Sequence, residues 1–399
     1  MRVTFKSIRN ILASMALTLG FISLAAVPAA GAMPGENARD HGDDVECGAR
    51  ITADTELHKN LVNCPGNGIV IGADGIELDL NGHTIDGDGE LGCTEFYACD
   101  FGIDNTAGHH GVTIEDGSIR DFATAVFVFG GSHNRLHRLS ASHNILGGML
   151  LIASQGTRIE RNSISANGLA TDQAGLIAFD SGEIRIERNS VFDNGDIGMF
   201  LVGLGDSRVE QNRVSGNPEA GMLFDGDGND VSRNRVSHNG DGIGFTGDGN
   251  TIAGNHVSNA AGCPDGCGFG ISFEGGTGNL VAHNLVARTR EAGIRVASFE
   301  PDTPPAVDNV IRRNLVLHAG IDGVLVESTA TDTLLERNIA IRAGDDGIDV
   351  DSGATTVTRN LSLRNGDLGI EAVAGVTDGG GNKAHGNGNP AQCLNVACP

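Results

Sequence analysis

The sequence predicts an all-β fold, a single solenoid of short parallel strands. The first of three observations is a recurring Asn. Asn162, Asn189, Asn212, Asn234, Asn255, Asn284, Asn314, Asn338, Asn360 and Asn382 follow one another in steps of 27, 23, 22, 21, 29, 30, 24, 22 and 22 residues. A repeat of about 20–50 residues marks a stacked architecture. Second, a Val stands two residues after many of them: Val191, Val214, Val236, Val257, Val286 and Val316. Third, a Gly opens an alternating apolar run in each coil, as in Gly221-Met222-Leu223-Phe224 and Gly347-Ile348-Asp349-Val350. Short alternating runs broken by Gly and Asn read as strands. The stretches between them are too short for crossover helices.

Composition agrees. The chain has 399 residues, 60 of them Gly, with 39% hydrophobic and 20% charged residues, enough to build a core and too little charge for disorder. The formal net charge of −24 argues against nucleic acid and anionic membrane surfaces as partners.

Residues 1–32 read as an export signal. Arg2, Lys6 and Arg9 precede an apolar run from Ile11 to Ala26, and Ala30-Gly31-Ala32 offers small residues for cleavage. No second apolar run exists, so no membrane span is expected. Removal of the signal leaves 24 basic against 51 acidic residues, a net of −27. Residues 33–46 read as a flexible linker, residues 47–385 as the solenoid and residues 386–399 as a short C-terminal cap. The eight Cys form four close pairs, Cys47/Cys64, Cys93/Cys99, Cys263/Cys267 and Cys393/Cys398. Close pairing and export imply disulfides. The Cys47/Cys64 bridge would staple the N-terminal end, worth ~3 kcal/mol in the chain-entropy model.

Strand alternation assigns directions. Residues one and three after the Gly face inward, with Phe224, Phe245 and Phe273 stacked. Residues two and four face out. The recurring Asn is expected at an inward turn, its amide bonded to the Asn one coil away, each bond contributing about 1 kcal/mol.

These features resemble the right-handed parallel β-helix repeat proteins of the pectate-lyase-like superfamily. The likeness spans roughly residues 47–385. Cys47-Gly48-Ala49-Arg50-Ile51, Gly68-Ile69-Val70-Ile71-Gly72 and Leu78-Asp79-Leu80-Asn81-Gly82-His83-Thr84-Ile85 look like the N-terminal coils of exported bacterial members. The resemblance implies a single right-handed parallel β-helix. Many members act on polysaccharides as lyases, hydrolases or epimerases. Others are accessory or surface proteins, one of them involved in periplasmic copper processing, so fold alone leaves function open.

Three loops interrupt the period: Leu169 to Ala174, Cys263 to Cys267, and Ser298 to Asp308. Loops on a rigid scaffold often carry function, but a solenoid also tolerates insertions cheaply.

The outward positions change character along the chain. Two after the Gly they read Ile177, Phe200, Leu223, Gly244, Ser272, Arg295, Leu325, Asp349 and Glu371. Four after it they end on Glu327, Asp351 and Val373. Asp349 and Asp351, two apart on one strand, stand ~7 Å apart, a separation that suits an inverting glycosidase. They are the candidate acid/base pair, with Arg295 and His318 as candidate substrate-positioning residues. Gly344-Asp345-Asp346-Gly347-Ile348 is similar to the paired-Asp motif of the polygalacturonase family. The chain departs from that family elsewhere. Its Asn-Thr-Asp motif is absent where Gly320-Ile321-Asp322-Gly323 stands, its Arg-Ile-Lys motif is missing, and His385-Gly386 matches its His-Gly poorly. Gly195-Asp196, Gly240-Asp241 and Gly366-Asp367 mark the segment as a repeat variant. A lyase would need a basic residue, and the mature chain offers only Lys59 and Lys383 besides Arg.

Glu327, Asp349, Asp351 and Glu371 are the candidate metal set, with calcium as the candidate cofactor, because like charges a coil apart repel unless a cation relieves them. Six Met and scattered His form no soft cluster for copper. The outward apolar strip Ile177, Phe179, Phe200, Val202 and Leu223 needs cover and is a candidate self-association surface. Two functions follow. One is a secreted or periplasmic protein that binds or cleaves polysaccharide along its outer face. The other is a non-catalytic cell-envelope scaffold stabilised by calcium. The three loops and the acidic face favour the first, which is the leading reading; the regular turns, the lack of Trp and the single Tyr97 favour the second, its alternative.

Overall fold

The structure, a computed structural model, describes residues 40–42, 45–91, 99–169, 173–263, 267–298 and 305–399. Among these residues every regular element is a strand, and the strands pair in parallel, with a register shift at one N-terminal pair. Fourteen strands, from Ala49–Ile51 to Ile370–Ala372, stack in chain order as one sheet. This Gly sheet contains the Gly-opened runs. The second sheet takes two strands from most coils, one on each side of the recurring Asn. A third, small sheet joins Gly276–Thr277, Ala306–Val307 and Ala330–Thr331. The coil is therefore the parallel β-helix that the period predicts.

The core is the interior of this coil. Val191, Val214, Val236, Val257, Val286 and Val316 stack in register and are at most 1% exposed. From the opposite wall come Met222, Ile243, Ile271, Ile294, Val324 and Ile348, equally buried. Phe224, Phe245 and Phe273 form the expected stack, with ring centroids 5.3 and 4.9 Å apart and planes within 9° and 6°. In the late coils Val316, Ala340 and Ser362 face inward, which leaves their Leu and Ile neighbours outside.

The recurring Gly has a steric cause. A Cβ on Gly242 would lie 2.2 Å from the Gly270 carbonyl oxygen and 2.3 Å from Cγ1 of Val257. Only a residue without a side chain lets the coils close at that corner.

The Asn ladder is present. Asn234 donates from its backbone N–H and from Nδ2 to Oδ1 of Asn255, at 2.9 and 3.0 Å. Asn255 does the same to Asn284, at 2.9 and 3.1 Å. Sequence reasoning found one ladder, and the coil contains further ones. Asn144, Asn167, Asn194, Asn217 and Asn239 form another. Asn229, Asn250, Asn279 and Asn309 form a third. Most of these stand five residues before or after the first set, a spacing visible in the sequence. Each ladder stitches one corner of the coil.

Disulfides close Cys47–Cys64, Cys263–Cys267 and Cys393–Cys398. Cys99 is disulfide-bonded. Cys93 lies outside the described residues, as do parts of all three loops, 170–172, 264–266 and 299–304. Asp40–Gly42 pairs with Thr55–Leu57, so regular pairing begins ahead of Cys47, within the stretch expected to be linker. At the other end, Cys393 bridges back to Ile370, and Gln392 Oε1 accepts from Nδ2 of Asn387 at 3.0 Å, which caps a ladder.

Candidate functional site

The outer face of the Gly sheet holds the candidate residues Arg295 and Asp349. Its N-terminal half is apolar and covers itself. Phe101 and Phe127 meet edge-to-face at 4.9 Å, and Phe179 and Phe200 at 5.8 Å. Ile177, Leu223 and Val202 are only 9%, 9% and 4% exposed, packed with Ala174, Ile197 and Ala220 or beside them. The strip expected to need a partner is thus largely buried within the monomer.

Farther along, this face becomes charged. Arg295 is 7% exposed and bridges two coils. Its Nε donates to Oε1 of Glu327 at 2.7 Å, and Nη1 lies 3.5 Å from Oε1 of Glu274. Its guanidinium sits 4.8 Å from the ring centre of Phe269. The structure therefore draws Glu327 away from the expected metal set and occupies Arg295 with protein partners. His318 lies on the corner after its Asn strand. There it approaches Nη1 of Arg342 at 3.4 Å and, with Arg288 and Arg290, lines a cavity of about 350 Å³. Arg295 and His318 belong to two different surroundings.

Asp349 stands in register between Leu325 and Glu371. It is half-buried, and Asp351 two residues along is exposed. Burial raises the Asp349 pKa to about 7, helped by the charges of Asp351, Asp322, Glu371 and Asp345. Here a carboxylate has little water and no cationic partner among the described residues to offset like charges one coil away.

Two residues outside the candidate acid/base and metal sets complete the cluster. Asp322 and Asp346 stand just before Gly323 and Gly347 and are 6% and 3% exposed. Asp322 Oδ1 accepts the N–H of Asp346 at 3.1 Å, and Asp346 Oδ1 accepts the N–H of Leu368 at 2.6 Å. Burial pushes Asp322 up to about 6. It raises Asp346 furthest, and a hydrogen bond with Glu371 and the charge of Asp345 add to the effect. The ligand oxygens of Asp346, Asp367 and Glu371 lie within 4.8 Å of one another, as do those of Asp322, Asp345 and Asp346. Asp241 is a relative of these buried residues. It aligns with Ala220, directly before its Gly, and not with the exposed Asp345 column as its Gly-Asp motif suggests. Its Oδ1 accepts the N–H groups of Gly268 and Phe269, and burial lifts it to about 6. A buried Asp before the Gly is thus a corner device that the acidic coils use twice in succession. Sequence spacing locates these residues, but their burial follows from the packed corner.

The cluster makes stability depend on pH. The native Asp349 and Asp346 hold protons that an unfolded Asp releases near pH 4. Between about pH 4 and 7 the native state therefore binds more protons, and stability falls as pH rises. Asp346→Asn keeps the oxygen that accepts from Leu368 and removes the charge. Urea unfolding at pH 5 and pH 8 is expected to show a smaller loss for this variant than for the parent. An equal loss would mean that the cluster is ionised in the fold.

Comparison with known proteins completes the description. A model described as right handed beta helix region matches residues 204–365. Among solved structures, the A-module of the Azotobacter vinelandii mannuronan C-5 epimerase AlgE4 shares the fold. It is 13% identical, with 88% of this chain and 91% of that chain covered and a TM-score of 0.52. DFA-IIIase from Arthrobacter chlorophenolicus is 15% identical over 74% of this chain and 81% of its own, with a TM-score of 0.47. The periplasmic alginate epimerase AlgG is 13% identical over 88% and 78%, with a TM-score of 0.48. No curated protein matches the chain in sequence. The model described as periplasmic copper-binding protein (NosD) matches residues 50–263, more than half of the chain, and the protein belongs to that family.

Proposed function

We propose that the protein is an exported, periplasmic β-helix that binds polysaccharide along the Gly sheet and hydrolyses a glycosidic bond at Asp349 and Asp351. One observation carries this reading. A half-buried carboxyl, Asp349, its pKa raised to about 7, stands two residues before the exposed carboxylate of Asp351, which lies just past the end of its strand. Asp349 is suited to protonate the leaving oxygen. Asp351, two residues on and ~7 Å away, is suited to take a proton from the attacking water, the arrangement of an inverting hydrolase. Glu371, in register with Asp349, helps keep that proton in place. An open face repeated coil after coil suits a polymer. Family membership and the disulfides support a periplasmic, oxidising location.

The family's description mentions copper, and the donors here do not fit it. Among the described residues no cysteine is free. Met149, Met199 and Met222 are buried in the apolar interior. The close ligand groups are carboxylates, apart from one containing the disulfide-bonded Cys263 and Cys267. Such oxygen sets suit a hard cation of the calcium class, which Asp346, Asp367 and Glu371 would hold.

The test is release of reducing ends by the mature protein from a panel of neutral and acidic polysaccharides, with calcium and with chelator. Release from one substrate is expected. No release across the panel would overturn hydrolysis, and retardation in polysaccharide-containing gels would then test binding alone.

A further inference from the structure

We propose that the outer face of the Asn sheet, in the coils from residue 280 to 364, docks on an anionic lipid surface. The same position changes chemistry along the chain. One residue after the Asn it reads Ser163, Ser190, Arg213, Arg235 and His256, then Leu285, Leu315, Ile339 and Leu361. Three after the Asn it reads Ser165, Phe192, Ser215, Ser237 and Ser258, polar but for Phe192, then Ala287, Leu317, Ile341 and Leu363. The late residues are in register from coil to coil. The Leu and Ile side chains are half-buried, while Val286, Val316, Ala340 and Ser362 between them point inside. The result is a flat apolar strip two columns wide.

Cationic ridges wall the strip. Arg313, Arg337 and Arg359 precede the Asn, and Arg288, His318, Arg342 and Arg364 follow the strand. All seven are exposed and have φ between 54 and 58°, a left-handed conformation uncommon for such residues. Glu336 pairs with Arg337 and Arg359 at 3.3 and 3.5 Å. Arg288, Arg313, Arg342 and Arg364 have no carboxylate within ion-pair distance among the described residues, in a chain of net charge −24. The cavity lined by Arg288, Arg290 and His318 opens at one end of the far ridge.

Apolar side chains between exposed cations match a surface of acyl chains and phosphates. The whole-chain charge does not forbid this, because charges beyond about 8 Å are screened at physiological salt. Of the carboxylate cluster, Asp349 and Glu371 belong to the other sheet, and Asp345 and Asp367 stand in the turns three residues after Arg342 and Arg364. A second copy of the face would set cationic ridges against cationic ridges, so self-pairing is disfavoured.

The test is co-sedimentation of the mature protein with vesicles of phosphatidylglycerol and phosphatidylcholine, and with phosphatidylcholine alone, at about 0.15 M salt. Binding is expected only to the anionic vesicles. It should weaken by roughly tenfold or more in Leu317→Ser/Ile341→Ser, and separately in Arg342→Glu/Arg364→Glu. Thermal melts select variants that fold, and the arginine pair stands alone should the apolar pair fail. No retention, equal retention on neutral vesicles, or retention unchanged in both pairs overturns the proposal. A dimer in light scattering that Leu317→Ser/Ile341→Ser dissociates also overturns it, in favour of self-association.

Discussion

Asn255→Ala is expected to destabilise the coil by about 3–5 kcal/mol, since each buried polar group left unpaired costs about 1–3 kcal/mol. Asn255 is 1% exposed. Its Oδ1 accepts the backbone N–H and Nδ2 of Asn234, and its Nδ2 donates to the Val231 carbonyl at 2.8 Å and to Oδ1 of Asn284. The alanine leaves the Asn234 donors and the Val231 carbonyl without these partners, in a space closed to water. In a solenoid each coil rests mainly on its neighbours, so the damage should be local. Urea unfolding measures the loss, and limited proteolysis should cut first in the coils between residues 231 and 284. Ser237→Ala, a half-exposed change on the same sheet, should stay within about 0.5 kcal/mol. A cost below about 1 kcal/mol for Asn255→Ala would remove the ladder as the main lock of this corner.

Asp349→Asn and Asp351→Asn are each expected to lower turnover by about 10²–10⁴-fold on whichever polysaccharide the mature protein cleaves, the usual contribution of general acid or base catalysis. The two variants should differ in pH profile. Asp349 is the group held protonated to about pH 7, so its loss should abolish the fall in rate on the alkaline side. Both variants should melt no lower than the parent at pH 8, because each removes a charge from a crowded acidic face. Turnover within twofold of the parent in either variant would sink the assignment. A raised melting temperature with no activity in any form would point to a scaffold that tolerates its acidic face.

The sequence by itself determined the coil. The Asn period, the Val two residues on and the Gly-opened strands fixed which residues stack, because a solenoid places equivalent positions above one another. The inward Phe stack and the outward run from apolar to acidic followed from strand alternation. Tertiary structure decided which outward residues act together. Arg295 sits in the same column as Asp349, yet Glu327 and Glu274 hold it, a pairing set by side-chain reach across coils. The spacing already places His318 in the turn four residues after its Asn, and the structure adds its approach to Arg342 there. Asp346 stood out only as part of a Gly-Asp-Asp turn and Asp322 only beside Gly323, and neither was expected to be buried, since position within a repeat says nothing about water. Their raised pKa values come from a closed corner, and desolvation is a property of the packed coil rather than of any spacing.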